Sequence, residues 1–170
     1  MKKVFIGGSR KISKINIELK KRIDNIIKMN FTILIGDANG VDKSIQKYLF
    51  KKEYKNVYIF CAGDKCRNNI GEWEVKYIKT DLAKKDFNFY SLKDIEMAKE
   101  TDYGLMIWDG KSRGTLSNVM NLLEKNKTCL LYLSSDNIFY NIKSFTDLHS
   151  ICQKQHKTNI EIPMQTSSEK

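Results

Sequence analysis

Three short stretches of this chain carry the residue types that hold anions: Gly7-Gly8-Ser9-Arg10, Gly36-Asp37-Ala38-Asn39-Gly40-Val41-Asp42, and Asp109-Gly110-Lys111-Ser112-Arg113-Gly114-Thr115. Glycines such as Gly7, Gly8, Gly36, Gly40, Gly110 and Gly114 either serve tight turns or let a ligand come close to the backbone. Arg10 and Arg113 offer a planar fork that grips phosphate at two points. Ser9, Ser112 and Thr115 are natural phosphate donors and equally natural helix caps. Asp37, beside such a loop, could bind ribose, coordinate a metal with phosphate, or act as a catalytic base. Asp42 suits ribose hydroxyls or the first turn of a helix, where the dipole favours an acid. Asp109 either contacts a sugar or shapes the Asp-Gly turn. Trp73 lies in a polar segment, as a lid stacking on a base or as a hydrophobic plug for the element that follows.

Each stretch sits between an apolar run and a helical pattern. Val4-Phe5-Ile6 precedes the first, Ile33-Leu34-Ile35 the second, and Leu105 to Trp108 the third, while Leu116, Val119, Met120 and Leu123 follow at helical spacing. In a strand–loop–helix unit the first helical N–H groups lack partners and the dipole is positive there, so the loop suits phosphate. Parallel sheets place all such turns on one edge, which predicts that the loops converge on one crevice and that it binds a nucleotide.

The remaining pattern supports the same architecture. Strands are expected at 2–6, 32–35, 57–61, 87–90, 105–108, 128–133 and 138–142. Helices are expected at about 14–29, from Val41 through Leu49, at 74–79, at 92–100 behind Ser91, from Leu116, and at 146–153. Strands and helices alternate, so the predicted class is α/β, a three-layer Rossmann-like domain with a mainly parallel sheet. Residues 1–153 form this domain, and the polar segment 154–170, with the sole proline Pro163, reads as a flexible tail.

Composition narrows the function classes. A chain of 170 residues with 41% hydrophobic content can bury one core. No stretch is long and apolar enough to span a membrane, and no signal-peptide core follows Met1, which leads to the expectation of a cytoplasmic protein. The net charge of +10 brings nucleic acid to mind, but only Arg10, Arg22, Arg67 and Arg113 among the thirty basic residues are arginine, and the lysines are scattered. Cys129 and Cys152 fit ordinary burial. Cys61 and Cys66, with no second pair and no nearby histidine, do not make a zinc site. No metal set or cofactor motif is expected.

Taken in order, the three loops resemble the SLOG superfamily, the Rossmann-like group that includes LOG-type nucleotide hydrolases and DNA-processing protein A. The resemblance covers most of residues 1 to about 133. It implies binding of a nucleotide or nucleotide-derived signalling ligand, in a homo-oligomer. Two alternatives accompany it: an N-glycosidase or phosphoribohydrolase acting on a nucleoside monophosphate or NAD-like substrate, and single-stranded DNA binding of the DNA-processing type. Members that cleave the N-glycosidic bond carry a glutamate three residues after the Gly-Thr pair, where this chain has Asn118. An amide cannot accept the proton, so Asp37, Asp42, Asp109 or Glu72 would have to take that role.

Overall fold

Short runs of Val, Ile, Leu and aromatic residues pair as one seven-stranded sheet in the computed structural model, which describes residues 1–155. The elements are β1 (Lys3–Gly8), α1 (Ile17–Lys28), β2 (Thr32–Gly36), α2 (Val41–Lys51), β3 (Val57–Ala62), β4 (Glu74–Ile78), α3 (Phe87–Glu100), β5 (Tyr103–Trp108), α4 (Arg113–Glu124), β6 (Cys129–Leu133), β7 (Ile138–Ile142) and α5 (Phe145–Lys154). The strand order is β4-β3-β2-β1-β5-β6-β7, parallel throughout except for β7, which returns antiparallel beside β6. β1 is therefore flanked by β2 and β5, and the chain winds outward from it in both directions. The loops after β1 and β5 diverge there, at the carboxyl edge, where such sheets form a crevice.

Alternate strand residues feed two apolar layers, as side-chain period two requires for a sheet covered on both faces. Phe5, Leu34, Phe60, Met106 and Trp108 face α3, α4 and α5, whereas Val4, Ile6, Ile33, Ile35 and Ile107 face α1 and α2. The α1 stripe buries Leu19, Ile23 and Ile26, and Asn16 caps the helix by accepting the Leu19 N–H at 3.0 Å. The expected three-layer α/β fold is present.

Two elements differ from expectation. Residues 74–78 form the edge strand β4 rather than a helix, paired with β3 from Tyr58↔Glu74 to Ala62↔Ile78. An edge strand bonded on one side only tolerates a polar mixture, and that mixture concealed its period. Residues 87–90 form the first turn of α3, not a strand. Its cap is Asp86, which accepts the Phe89 N–H at 3.2 Å, rather than Ser91. The helix packs against β1, β2, β3 and α4, so its apolar residues spread round the cylinder and the stripe is blurred. At the other end, Lys154 closes α5 and Gln155 caps it; the rest of the expected tail lies outside the described residues.

Gly40 is one position where the backbone demands glycine. Its φ is +83°, and a Cβ there would drive into the main chain of Arg10. The loops after β1 and β2 thus touch backbone to backbone. Gly40→Ala should destabilise the domain by about 2 kcal/mol or more, from positive φ and overlap together. An unchanged urea midpoint would show that the loops are not in contact.

Candidate ligand-binding cleft

Ser9, 1% exposed, joins all three glycine-bearing loops. Its N–H donates to the Ile107 carbonyl at 2.9 Å, and its own carbonyl accepts the Val41 N–H at 3.2 Å. The hydroxyl lies 3.0 Å from Asp109 Oδ1 and 3.2 Å from Thr115 Oγ1, and accepts the Asp109 N–H at 3.1 Å. Asp109 Oδ1 also accepts the Lys111 and Ser112 N–H groups at 3.0 and 2.8 Å. Burial pushes the Asp109 carboxyl up, but these donors outweigh it and hold it below the usual range. Asp109 therefore shapes the turn, and Ser112 caps α4 by accepting the Thr115 N–H at 3.3 Å.

The loops enclose a cleft of about 480 Å³. Gly7, Gly8, Arg10, Asp42 and Asp109 line it, with Ser112, Gly114 and Thr115 from the start of α4. Ser9, Gly36, Gly40, Val41 and Gly110 stand behind them as framework. Arg113 is exposed and does not line the cleft, so Arg10 and Arg113 do not form the expected pair. Lys11, Lys85 and Lys111 add positive charge beside Arg10, and Asn118, 8% exposed, lies at the wall.

Asp37 is brought to this edge but not into the cleft. Both its oxygens are held by Arg67, whose Nη2 reaches Oδ1 at 2.6 Å while its Nε and main-chain N–H reach Oδ2 at 3.2 and 2.9 Å. Burial alone would raise the Asp37 carboxyl; the Arg67 hydrogen bonds and charge reverse this and hold it below its ordinary value. A carboxylate so occupied is a poor base, and the expected catalytic Asp37 gives way to a clamp on the loop. The Arg67 guanidinium lies 4.1 Å from the centre of the Tyr90 ring, and Arg10 lies 5.6 Å from the same ring.

The largest departure concerns Trp73. The segment 63–73 crosses from the end of β3 back to the start of β4 without a helix, which carries Glu72 and Trp73 to the opposite edge of the sheet. Trp73 is buried in the α1/α2 layer, and its indole N–H donates to the Tyr54 carbonyl at 2.9 Å. It is the plug, not the stacking lid. Glu72, exposed beside it, is equally remote.

The α3 helix supplies what the sequence reading missed. Lys93 is 4% exposed and lines the cleft, donating to Asp94 Oδ1 at 2.5 Å. Burial disfavours its charge, but Asp94 and Asp42 keep the ammonium form favoured above the ordinary lysine range. Asp42, 6% exposed, is pushed up to about 6 by burial, against the opposing pull of Lys93. No signal in sequence separates Lys93 from the solvated lysines; only its placement inside α3 does.

Cys61 and Cys66 are joined as a disulfide, with Cα atoms 5.3 Å apart, rather than standing as separate thiols. Their sulfurs and an Asp37 oxygen lie within 4.8 Å of one another. The S–S bond and the Arg67 clamp leave none of these groups open to a metal. Among the described residues no helix is long and apolar enough to cross a membrane.

No protein-family model matches the sequence, and no curated protein matches it. Among solved structures, DNA processing protein A from Helicobacter pylori, described for its single-stranded DNA binding mode, is similar in fold. Its TM-score is 0.61 at 14% identity, over 90% of this chain and 72% of that one.

Two outcomes follow from this geometry. Ser9→Ala should cost about 1–3 kcal/mol, because it strips a partner from the half-buried Asp109 N–H and the buried Thr115 hydroxyl; chemical denaturation measures it. Asp42, with its folded value raised from 3.8 to about 6, carries a penalty that is absent near pH 4 and complete above pH 6. Asp42→Asn should therefore stabilise the protein at pH 8, on the order of 2–3 kcal/mol, and change little at pH 4. Equal shifts at both pH values would exclude a buried, ionising Asp42.

Proposed function

We propose that the cleft binds a nucleotide or nucleotide-derived signalling ligand, held by its phosphate. One observation carries this reading: the loops after β1, β2 and β5 meet around a hollow of about 480 Å³ with Arg10, Lys11, Lys85 and Lys111 at its rim. That volume falls within the range of small-molecule sites. The Arg113 and Gly114 N–H groups in the first turn of α4 have no partner among the described residues and suit a ligand's negative charge, and Gly114 leaves room for it to approach the main chain.

Hydrolysis of an N-glycosidic bond is the weaker companion reading, since Asn118 occupies the wall where the resembling hydrolases carry glutamate. Asp42 is then the carboxylate best placed to act, because Asp37 is clamped and Asp109 holds its turn. Single-stranded DNA binding is favoured by the fold likeness to DNA processing protein A and by the +10 charge.

Thermal unfolding with a panel of nucleotides and a dT oligonucleotide separates the readings. A ligand at 100 times its Kd should add about 2.7 kcal/mol, and Arg10→Glu should remove that gain. Stabilisation by the oligonucleotide alone, falling steeply with salt, would favour the DNA reading instead. No stabilisation by any nucleotide or oligonucleotide would count against phosphate recognition in this cleft.

A further inference from the structure

Resting on the nucleotide reading, we infer that Asp42 and Lys93 frame a hydroxyl subsite, so that the cleft selects a ribose over a deoxyribose. The two charged groups lie on different helices and meet over Gly36. A Cβ on Gly36 would stand 2.5 Å from Asp42 Oδ2 and 2.6 Å from Lys93 Nζ. The carboxylate and the ammonium are therefore within about 5 Å of each other, yet they form no ion pair within 4.0 Å. A single oxygen hydrogen-bonded to both at ordinary length, with a tetrahedral angle between, spans roughly 4.6 Å. The gap has the width of one hydroxyl.

Both groups have unused capacity. Asp42 Oδ2 accepts the Ala38 N–H at 3.1 Å, and Oδ1 has no partner among the described residues. Lys93 spends one of its three N–H bonds on Asp94. Each side chain is more than nine-tenths buried, and each lines the cleft. Buried groups left with spare donors and acceptors are costly unless a partner supplies them.

The chemistry of the pair selects that partner. A phosphate oxygen, acceptor only, would suit Lys93 and be repelled by Asp42. An amino group, donor only, would suit Asp42 and be repelled by Lys93. A hydroxyl both donates and accepts, and so satisfies the two together. With phosphate at the start of α4, a sugar hydroxyl at the α2/α3 side of the same cleft fits a nucleotide lying across it. A site built to bond a hydroxyl also rejects the analogue that lacks it, because the buried pair then stays unpaired.

The test is calorimetric binding of 5′-AMP, GMP, CMP and UMP, with their 2′-deoxy and 3′-deoxy forms, to the full chain. At least one ribonucleotide should bind ten-fold or more tightly than one of its own deoxy forms. Asp42→Asn should erase that difference, and Lys93→Met, which keeps the buried stem, should do the same. Equal binding of ribo and deoxy forms would overturn the subsite and leave the nucleotide reading standing. Failure of every mononucleotide to bind would overturn the ribose subsite and count against the nucleotide reading. The wild-type comparison needs no variant, so a misfolded substitution cannot rescue the inference.

Discussion

The candidate site depends on one buried serine. Ser9 leaves the central strand at the point where the fold turns away in two directions, and its backbone and hydroxyl bind the loops that would otherwise diverge. Its N–H fastens it to β5, its carbonyl to the start of α2, and its hydroxyl to Asp109 and Thr115 at the start of α4. Rigid strands hold the loop ends, and this serine holds the loops to one another. The shape of the cleft is thus fixed by the fold itself.

Charge is distributed unevenly around that hollow. The rim is cationic and exposed, so its charges keep their water. The floor is different: Asp42, Lys93 and Asp94 lie inside, with Asp37 and Arg67 paired next to them. Burying ions is expensive, and swapping such pairs for apolar residues often stabilises a protein. Under the proposed function, these buried charges serve recognition rather than stability. The uncommitted Asp42 oxygen is the clearest sign, since a purely structural pair would have closed on itself.

Much of the architecture was legible from the chain. Strands buried on both faces leave continuous apolar runs, and glycine-rich junctions mark their ends, so β1, β2 and β5 with their loops were readable directly. Their convergence followed from parallel topology alone. Two kinds of information were not local. Edge strand β4 is half-solvated, and its residues 74–78 carry a polar mixture that imitates a helix. Helix α3 packs on several sides, so its period fades, and with it went Lys93, Tyr90 and the cap Asp86. Trp73 misled for a third reason. Proximity in sequence to the end of β3 suggested proximity to the cleft, but a helixless crossover carries the chain the full length of the sheet. Arg113 stood in the right loop and pointed nowhere useful, because loop membership does not fix side-chain direction.

That crossover has a consequence of its own. Parallel neighbours are ordinarily bridged by a helix whose packing fixes where the chain runs, and between β3 and β4 none is present. The Cys61–Cys66 bond supplies a covalent strut in its place, closing a very small ring at the top of β3. Arg67 is the next residue along, so the guanidinium that grips Asp37 and leans on Tyr90 is moored by the strut on one side and by its ionic grip on the other. The loop behind one side of the hollow is in this way braced by a covalent bond as well as by an ion pair.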